Sequence, residues 1–199
     1  PYFDNHHKSP FPGEDFQMFE RDLPGENKAG LSGQSISTLP LETCETMNGM
    51  WGYKIKDQNY KSVNELIHLL VRAAGKGANL LMNIGPQPNG ELPAVAVERL
   101  KGVGEWMSKY GETIYGSTSG NVVTASWGTT TRKGNTLYIH ILSQKMPEFV
   151  TLPLNEKVVS ATLFDTGEKV KYEKIQGGIV LHTANLKPSV DCIISLKLK

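Results

Sequence analysis

The sequence lacks several features that would mark a specialised protein class. With two cysteines, Cys44 and Cys192, in 199 residues, it is not a disulfide-rich scaffold. It has no excess of one charge, because 21 Lys and Arg stand against 20 Asp and Glu, so it offers no electrostatic case for a nucleic-acid partner. It also lacks long apolar runs: stretches such as residues 139–142 fall far below the roughly 18 residues of a membrane-spanning helix. We therefore predict no nucleic-acid partner and no membrane span.

The composition is that of a chain able to form a hydrophobic core. Hydrophobic residues make up 39% of it, and its 20 Gly and 11 Pro do not suggest a fibrous or disordered protein. A chain of this length holds one large or two small domains. It starts with Pro1 rather than Met and shows no signal peptide, and we interpret it as beginning partway through a longer protein.

Residues 1–60 are rich in Gly, Pro, Ser and acidic side chains and show little periodicity. We interpret them as a series of short loops. They carry more aromatic residues than a solvated linker needs: Phe11, Phe16, Phe19, Trp51 and Tyr53. Because catalytic groups gather on loops that a rigid scaffold holds in place, we expect an active site in this region.

Regular structure is predicted from Ser62 onward. Ser62 and Glu65 form the pattern of a capping box, and the apolar positions after them predict a helix that ends near Gly75 and Gly77. Residues 79–84 are apolar on both faces, as a buried parallel strand is. Pro93 is suited to the first position of a second helix. This order of helix, strand and helix is typical of an α/β protein.

After about Gly116 the pattern changes to short alternating segments separated by turns. Such segments predict an antiparallel β-sandwich, with strands over 121–127, 136–142, 148–152, 157–164, 169–174, 178–182 and 190–198. We place the two domains at residues 1–117 and 118–199. Only about two βα units are visible in the first, so we expect the rest of its sheet to come from elsewhere.

Three clusters contain residues able to carry chemistry. In the first, Asn5, His6 and His7 follow Asp4, but adjacent histidines rarely reach one metal ion, so hydrogen bonding to a polar ligand or to the loop is favoured over a metal site. In the second, residues 13–22, the carboxylates lie among phenylalanines. That setting suits a general acid, although an acidic surface loop with Glu20 paired to Arg21 is the commoner interpretation.

The third cluster joins residues 41–45 to residues 51–53. Trp51 beside a flexible glycine suits stacking on the face of a sugar, although a core tryptophan is the commoner case. Cys44 and Cys192 fall in different predicted domains, and we expect no disulfide between them.

Several motifs occur together in one order. They are Asp15–Glu20, Glu42–Cys44, Trp51–Tyr53, Gly77–Pro86, Asn89 to Trp106 and Ile114–Gly116. Over residues 13–117 this series resembles the second half of an α-L-fucosidase of glycoside hydrolase family 29. The last eighty residues resemble the family only in being a predicted β-sandwich.

The resemblance implies an α/β plus all-β fold: the C-terminal units of a (β/α)8-like barrel, followed by an antiparallel β-sandwich. It implies retaining hydrolysis of terminal α-L-fucose by two carboxylates about 5 Å apart, with no cofactor and no metal. Glu20 takes the place of the general acid/base, and Glu42 is a second candidate. Trp51 takes the place of the aromatic residue around the C5 methyl group of the sugar.

Two departures from the family pattern affect the site. Where many members have Asn-Asp-Arg, this chain has Asn5-His6-His7, which leaves His6 and His7 as candidate substrate contacts. The nucleophilic aspartate of the family lies on an earlier strand, so we expect it outside this chain. The implied partners are a fucosylated oligosaccharide or glycoconjugate and the N-terminal barrel half of the same protein, without which the chain would be inactive.

A second interpretation is a carbohydrate-binding or structural β-sandwich module without catalysis. Such a module should expose aromatic residues on one face, for which Trp127, Tyr138 and Tyr172 are the candidates. By resemblance to the family, the protein is expected in the periplasm or outside the cell in a bacterium, and in the lysosome in an animal.

Overall fold

The computed structural model describes residues 12–28, 35–122 and 125–199, and the backbone of residues 2–4. The chain forms two compact units, Pro1–Lys109 and Tyr110–Lys199. The predicted domain boundary between residues 117 and 118 stays a prediction.

The first unit contains a parallel sheet of four strands. They are β1 (Tyr2–Asp4), β2 (Phe16–Glu20), β3 (Leu41–Thr46) and β4 (Ala78–Asn83), and they lie side by side in that order. The prediction that residues 1–60 are only loops is therefore wrong. These strands are three to six residues long, which is too short for a clear alternation of apolar and polar residues. They are stabilised by pairing with strands that are distant in the sequence.

Two helices accompany this sheet, and both were predicted. Helix α1 (Val63–Gly75) begins after Ser62, whose Oγ accepts the Glu65 N–H at 3.2 Å while Glu65 Oε2 accepts the Ser62 N–H at 2.7 Å. This capping box is confirmed. The chain leaves α1 through Gly77, which has a φ of +75°. Helix α2 (Ala94–Tyr110) follows Pro93 and leads into a single 3₁₀ turn, Gly111–Thr113.

The two faces of the parallel sheet differ in burial. Phe19 and Thr43, which are register partners on β2 and β3, are each 1% exposed. On the other face Glu20 and Glu42 are half-buried, and Leu81 on β4 is 45% exposed. Helix α1 contacts β4, and its apolar residues Leu66, Ile67 and Val71 are buried.

The second unit consists of antiparallel strands. They are β5 (Thr118–Ser119), β6 (Gly128–Lys133), β7 (Thr136–Ile141), β8 (Phe149–Pro153), β9 (Val158–Leu163), β10 (Tyr172–Ile175), β11 (Gly178–His182) and β12 (Cys192–Leu198). One sheet has the order β5-β6-β7-β12-β9 and the other β10-β11-β8. Inward residues of both sheets, such as Ile139, Leu152, Leu181 and Ile194, form one core cluster.

One predicted strand of this unit is wrong. Residues 121–122 and 125–127 form no strand, apart from an isolated bridge between Ala125 and Gly128, and the strand β6 begins only at Gly128. The sequence pattern predicts the strand on the N-terminal side of this glycine. A Cβ at Gly128 would lie 1.9 Å from the carbonyl oxygen of His140, so the glycine is needed by close strand packing.

In the part of the chain that the structure describes, no helix is long and apolar enough to cross a membrane.

Candidate active site

Glu20 and Glu42 lie on the same face of the parallel sheet. Glu20 is the last residue of β2 and pairs in register with Cys44, whereas Glu42 lies near the start of β3 and pairs with Met18. Register partners in a parallel pair share a face, and so do alternate residues of one strand. From the spacing of strands and residues, the Cα atoms of Glu20 and Glu42 are about 8 Å apart. We call the face that carries Glu20, Glu42 and Cys44 the carboxylate face.

Cys44 lies between these two carboxylates and is 7% exposed. Burial raises the pKa of its thiol to about 11, and the negative charges of Glu20 and then Glu42 contribute to this rise. The thiol is therefore protonated at neutral pH, which makes it an unreactive, neutral group in the floor of the site.

Glu45 on β3 belongs to the opposite face. Its Oε1 accepts the Thr46 N–H at 2.7 Å and lies 3.6 Å from Lys61 Nζ. Lys61 Nζ also donates to the Thr46 carbonyl oxygen at 2.6 Å. Glu45 thus interacts with groups at the end of β3, on the side of the sheet opposite the carboxylate face.

The segment 49–53, which we call the Trp51 loop, is attached to the end of β4. Asn83 Nδ2 donates to the Trp51 carbonyl oxygen at 2.6 Å. Two residues on, a Cβ at Gly85 would lie 2.4 Å from the backbone nitrogen of Tyr53, so only glycine allows this approach. Trp51 itself is 36% exposed. The interpretation of Trp51 as a core residue is wrong.

Arg21 contacts the same loop from the end of β2. Its guanidinium carbon lies 5.4 Å from the centroid of the Trp51 ring, and Nη2 donates to the Gly49 carbonyl oxygen at 2.9 Å. The sequence pointed to Arg21 only as an ion-pair partner of Glu20 on an acidic surface loop. The surface loop is wrong, because residues 16–20 are a strand, while the pairing of Glu20 with Arg21 stays a prediction. No sequence motif indicates the contact of Arg21 with Trp51.

Of the first predicted cluster, residues 4–7, the structure describes only the backbone of Asp4. Asp4 ends β1 and pairs in register with Met18, while Asn5, His6 and His7 lie outside the described residues. Across the described ranges, no group of three or more His, Cys, Asp or Glu residues could hold a metal ion. Cys44 and Cys192 are both free and buried.

The aromatic residues proposed as a sugar platform in the second unit are not arranged as one. Tyr138 is 3% exposed, and its hydroxyl donates to Glu112 Oε1 at 2.8 Å. Trp127 and Tyr172 are half-buried and pack against the core of the unit. These three side chains support the core rather than form an exposed aromatic face.

Comparison with known proteins adds the family. A family model described as alpha-L-fucosidase matches residues 2–112. The chain belongs to this family. The matched range includes Glu20, Glu42 and Trp51 and the whole parallel sheet.

Individual members of the α-L-fucosidase family are similar over only part of their length. The enzyme of Dictyostelium discoideum is 30% identical over 74% of this chain and 35% of its own sequence. The tissue α-L-fucosidase of Mus musculus is 36% identical over 65% of this chain and 30% of its own. The chain thus spans about a third of the length of these relatives.

Solved structures extend the similarity to both units. α-L-Fucosidase isoenzyme 1 from Paenibacillus thiaminolyticus has a TM-score of 0.76 and 32% identity, and covers 93% of this chain and 45% of that one. A family 29 α-L-fucosidase from Bacteroides thetaiotaomicron has a TM-score of 0.79 and 25% identity, over 93% of this chain and 43% of that one. The antiparallel unit therefore shares the fold of these structures although the family model ends at residue 112.

Proposed function

We propose that the protein hydrolyses terminal α-L-fucose from fucosylated glycans with retention of configuration, and that this chain supplies the acid/base half of the site. The observation that carries the proposal is the carboxylate face, with Glu20 and Glu42 on one side of a parallel sheet and the Trp51 loop attached to its strand ends. Family membership supplies the reaction, because the matched range contains this face.

The proposed architecture is the C-terminal part of a (β/α)8-like barrel followed by a β-sandwich. Parallel strands alternating with helices from β3 to α2 support the barrel, since parallel sheets are normally covered on both faces. The carboxylate face, with Leu81 45% exposed, would be its interior. The partner half, with the strands that precede β1 and the nucleophilic aspartate, would come from the same protein.

In the proposed mechanism Glu20 first donates a proton to the glycosidic oxygen while the aspartate forms a fucosyl-enzyme. Glu20 then removes a proton from the water that hydrolyses it. A trapped covalent intermediate is described for the Bacteroides thetaiotaomicron relative, obtained with a glutamate-to-glutamine mutant, and this supports a retaining path. Glu20 is the first candidate because it ends its strand, at the edge where barrel enzymes place their active sites. Glu42 is the second, two residues deeper on the same face.

The substrate contacts follow from exposure. Trp51 is 36% exposed, and an accessible indole suits the apolar patch around the C5 methyl group of fucose. The candidate contacts His6 and His7 remain part of the proposal on the strength of the family resemblance alone.

The test uses the full-length gene product that contains these 199 residues, assayed with 4-nitrophenyl α-L-fucoside. We expect Glu20→Gln to lower kcat by at least a hundredfold, the usual scale for loss of a general acid/base, because hydrolysis of the fucosyl-enzyme needs the general base. Azide should restore turnover and give a fucosyl azide, because an anionic nucleophile needs no general base.

Two matched variants make the result specific. Glu45→Gln removes the same charge from the opposite face of β3 and should leave kcat within about twofold of the parent. Glu42→Gln decides between the two candidates: if azide rescues this variant and Glu20→Gln keeps parental activity, the acid/base role belongs to Glu42. A parent protein that releases no 4-nitrophenol would contradict the proposed function itself.

A further inference from the structure

Arg21 has a backbone conformation that non-glycine residues seldom adopt. Its φ is +57°, although its N–H donates to the Cys44 carbonyl oxygen at 2.9 Å and so continues the pairing of β2 with β3. Left-handed residues of this kind persist where the surrounding structure fixes them, and they cluster at functional sites. The backbone at Arg21 turns the chain directly after Glu20.

The Arg21 side chain holds the Trp51 loop at two points. The guanidinium lies over the Trp51 ring, 5.4 Å from its centroid, which is within the range of a cation–π contact. The Nη2 atom donates to the Gly49 carbonyl oxygen at 2.9 Å. Both contacts span about 30 residues of sequence and join the end of β2 to a single loop.

Trp51 stays partly accessible in this arrangement. The guanidinium lies over the ring, and the residue is 36% exposed. Arg21 directly follows Glu20 in the chain, and its side chain contacts Trp51. It therefore links the position of the indole to that of the Glu20 backbone.

We propose that Arg21 is a positioning residue for the sugar site: it holds the Trp51 ring so that a fucosyl group stacks on the indole face opposite the guanidinium. This inference rests on the proposed function, which it deepens by naming the residue that orients the aromatic contact.

The kinetic test compares two variants in the full-length gene product. Asparagine tolerates the left-handed conformation, so Arg21→Asn removes both contacts with Trp51 and Gly49 without new backbone strain. We expect it to raise KM for 4-nitrophenyl α-L-fucoside about fivefold with kcat within about twofold, since the contact orients bound sugar. Arg21→Lys keeps the cation and should recover part of the loss. Arg132→Asn, which breaks an ion pair with Glu156 in the second unit, is the matched control and should leave both constants unchanged.

The second readout follows Trp51 directly. With 5-fluorotryptophan incorporated, the Trp51 resonance in the ¹⁹F NMR spectrum is assigned by its loss in Trp51→Phe. Arg21→Asn should shift this resonance and reduce the further shift that L-fucose produces, whereas Arg132→Asn should do neither.

Each result bears on the proposal. An unmoved Trp51 resonance in Arg21→Asn would overturn it, and so would a moved resonance with unchanged KM and an unchanged response to L-fucose. If the parent protein fails to hydrolyse the fucoside, the proposed function fails, while the L-fucose titration still decides whether Arg21 orients Trp51 for a sugar.

Discussion

His140 is fully buried in the second unit and contacts a polar atom with each ring nitrogen. Nδ1 lies 2.7 Å from Asp191 Oδ2, and Nε2 lies 3.0 Å from Thr131 Oγ1. The Thr131 hydroxyl donates its single proton to the Thr113 carbonyl oxygen at 2.7 Å, so Nε2 must be the donor toward Thr131. Nδ1 and the buried Asp191 carboxyl share a proton in the other hydrogen bond of the ring.

Removing that carboxylate should destabilise the second unit strongly. Asp191→Ala leaves the buried Nδ1 atom of His140 without its hydrogen-bond partner, which costs about 3 kcal/mol. We expect amide hydrogens of β7 and β12 to exchange about a hundredfold faster in native-state hydrogen exchange. Asp165→Ala removes an exposed carboxylate that accepts from Tyr110 Oη and should have a small effect. Equal protection in Asp191→Ala and the parent would contradict a stabilising role for the buried His140–Asp191 hydrogen bond.

At the scale of elements, α1 depends on a local device that also responds to pH. Hydrogen bonds from the Ser62 hydroxyl and backbone hold the pKa of the Glu65 carboxyl below its ordinary value, against a small opposing effect of burial. A carboxyl with a lowered folded-state pKa stabilises the protein above its unfolded pKa and loses this effect as the pH falls through the folded one. The cap therefore contributes fully at neutral pH and weakens in acid, below about pH 4.5.

Two variants distinguish the contribution of the Ser62 cap from that of Glu65 ionisation. Ser62→Ala should lower the free energy of unfolding by about 1 kcal/mol at pH 7, with a smaller difference from the parent at pH 3. Glu65→Gln can still accept the Ser62 N–H but does not titrate. At pH 7 it should lower the free energy of unfolding by less than Ser62→Ala does, and its difference from the parent should also become smaller in acid. Chemical unfolding at both pH values measures this. A Ser62→Ala difference that grows in acid would be inconsistent with the cap.

The elements that the sequence predicts well are those with local signals. A capping box, stop glycines and an initial proline mark α1 and α2, and β4 is a run of apolar residues between two helices. By contrast β2 and β3 gain their stability from each other and from α1, through partners such as Phe19 and Thr43 that are far apart in sequence. The same distinction holds in the site: Glu20, Glu42 and Trp51 belong to motifs, whereas Arg21 meets Trp51 only through the fold.

At the scale of the whole molecule, the two units differ in how their sheets are covered. In the second unit, both antiparallel sheets contribute inward residues to one core, and Leu137, Ile139 and Ile194 are fully buried. In the first unit, the carboxylate face of a parallel sheet is half-exposed, with Leu81 on its surface. A parallel sheet with one open face leaves apolar area in water that burial would stabilise at about 25 cal/mol per Å².

This difference predicts different behaviour of the units when they are expressed separately. Residues 110–199 should fold alone, with a cooperative thermal transition and dispersed amide resonances, because their core is internal to them. Residues 1–109 should bind a hydrophobic dye or aggregate, since in the described part of that segment Leu81 is left 45% exposed on the carboxylate face. Ile194→Ala tests the first half of the prediction: it should cost residues 110–199 about 3 kcal/mol through the cavity it leaves. A cooperative transition without dye binding in residues 1–109 would show that the carboxylate face needs no covering partner, and would weaken the proposal that a further part of the protein completes the sheet.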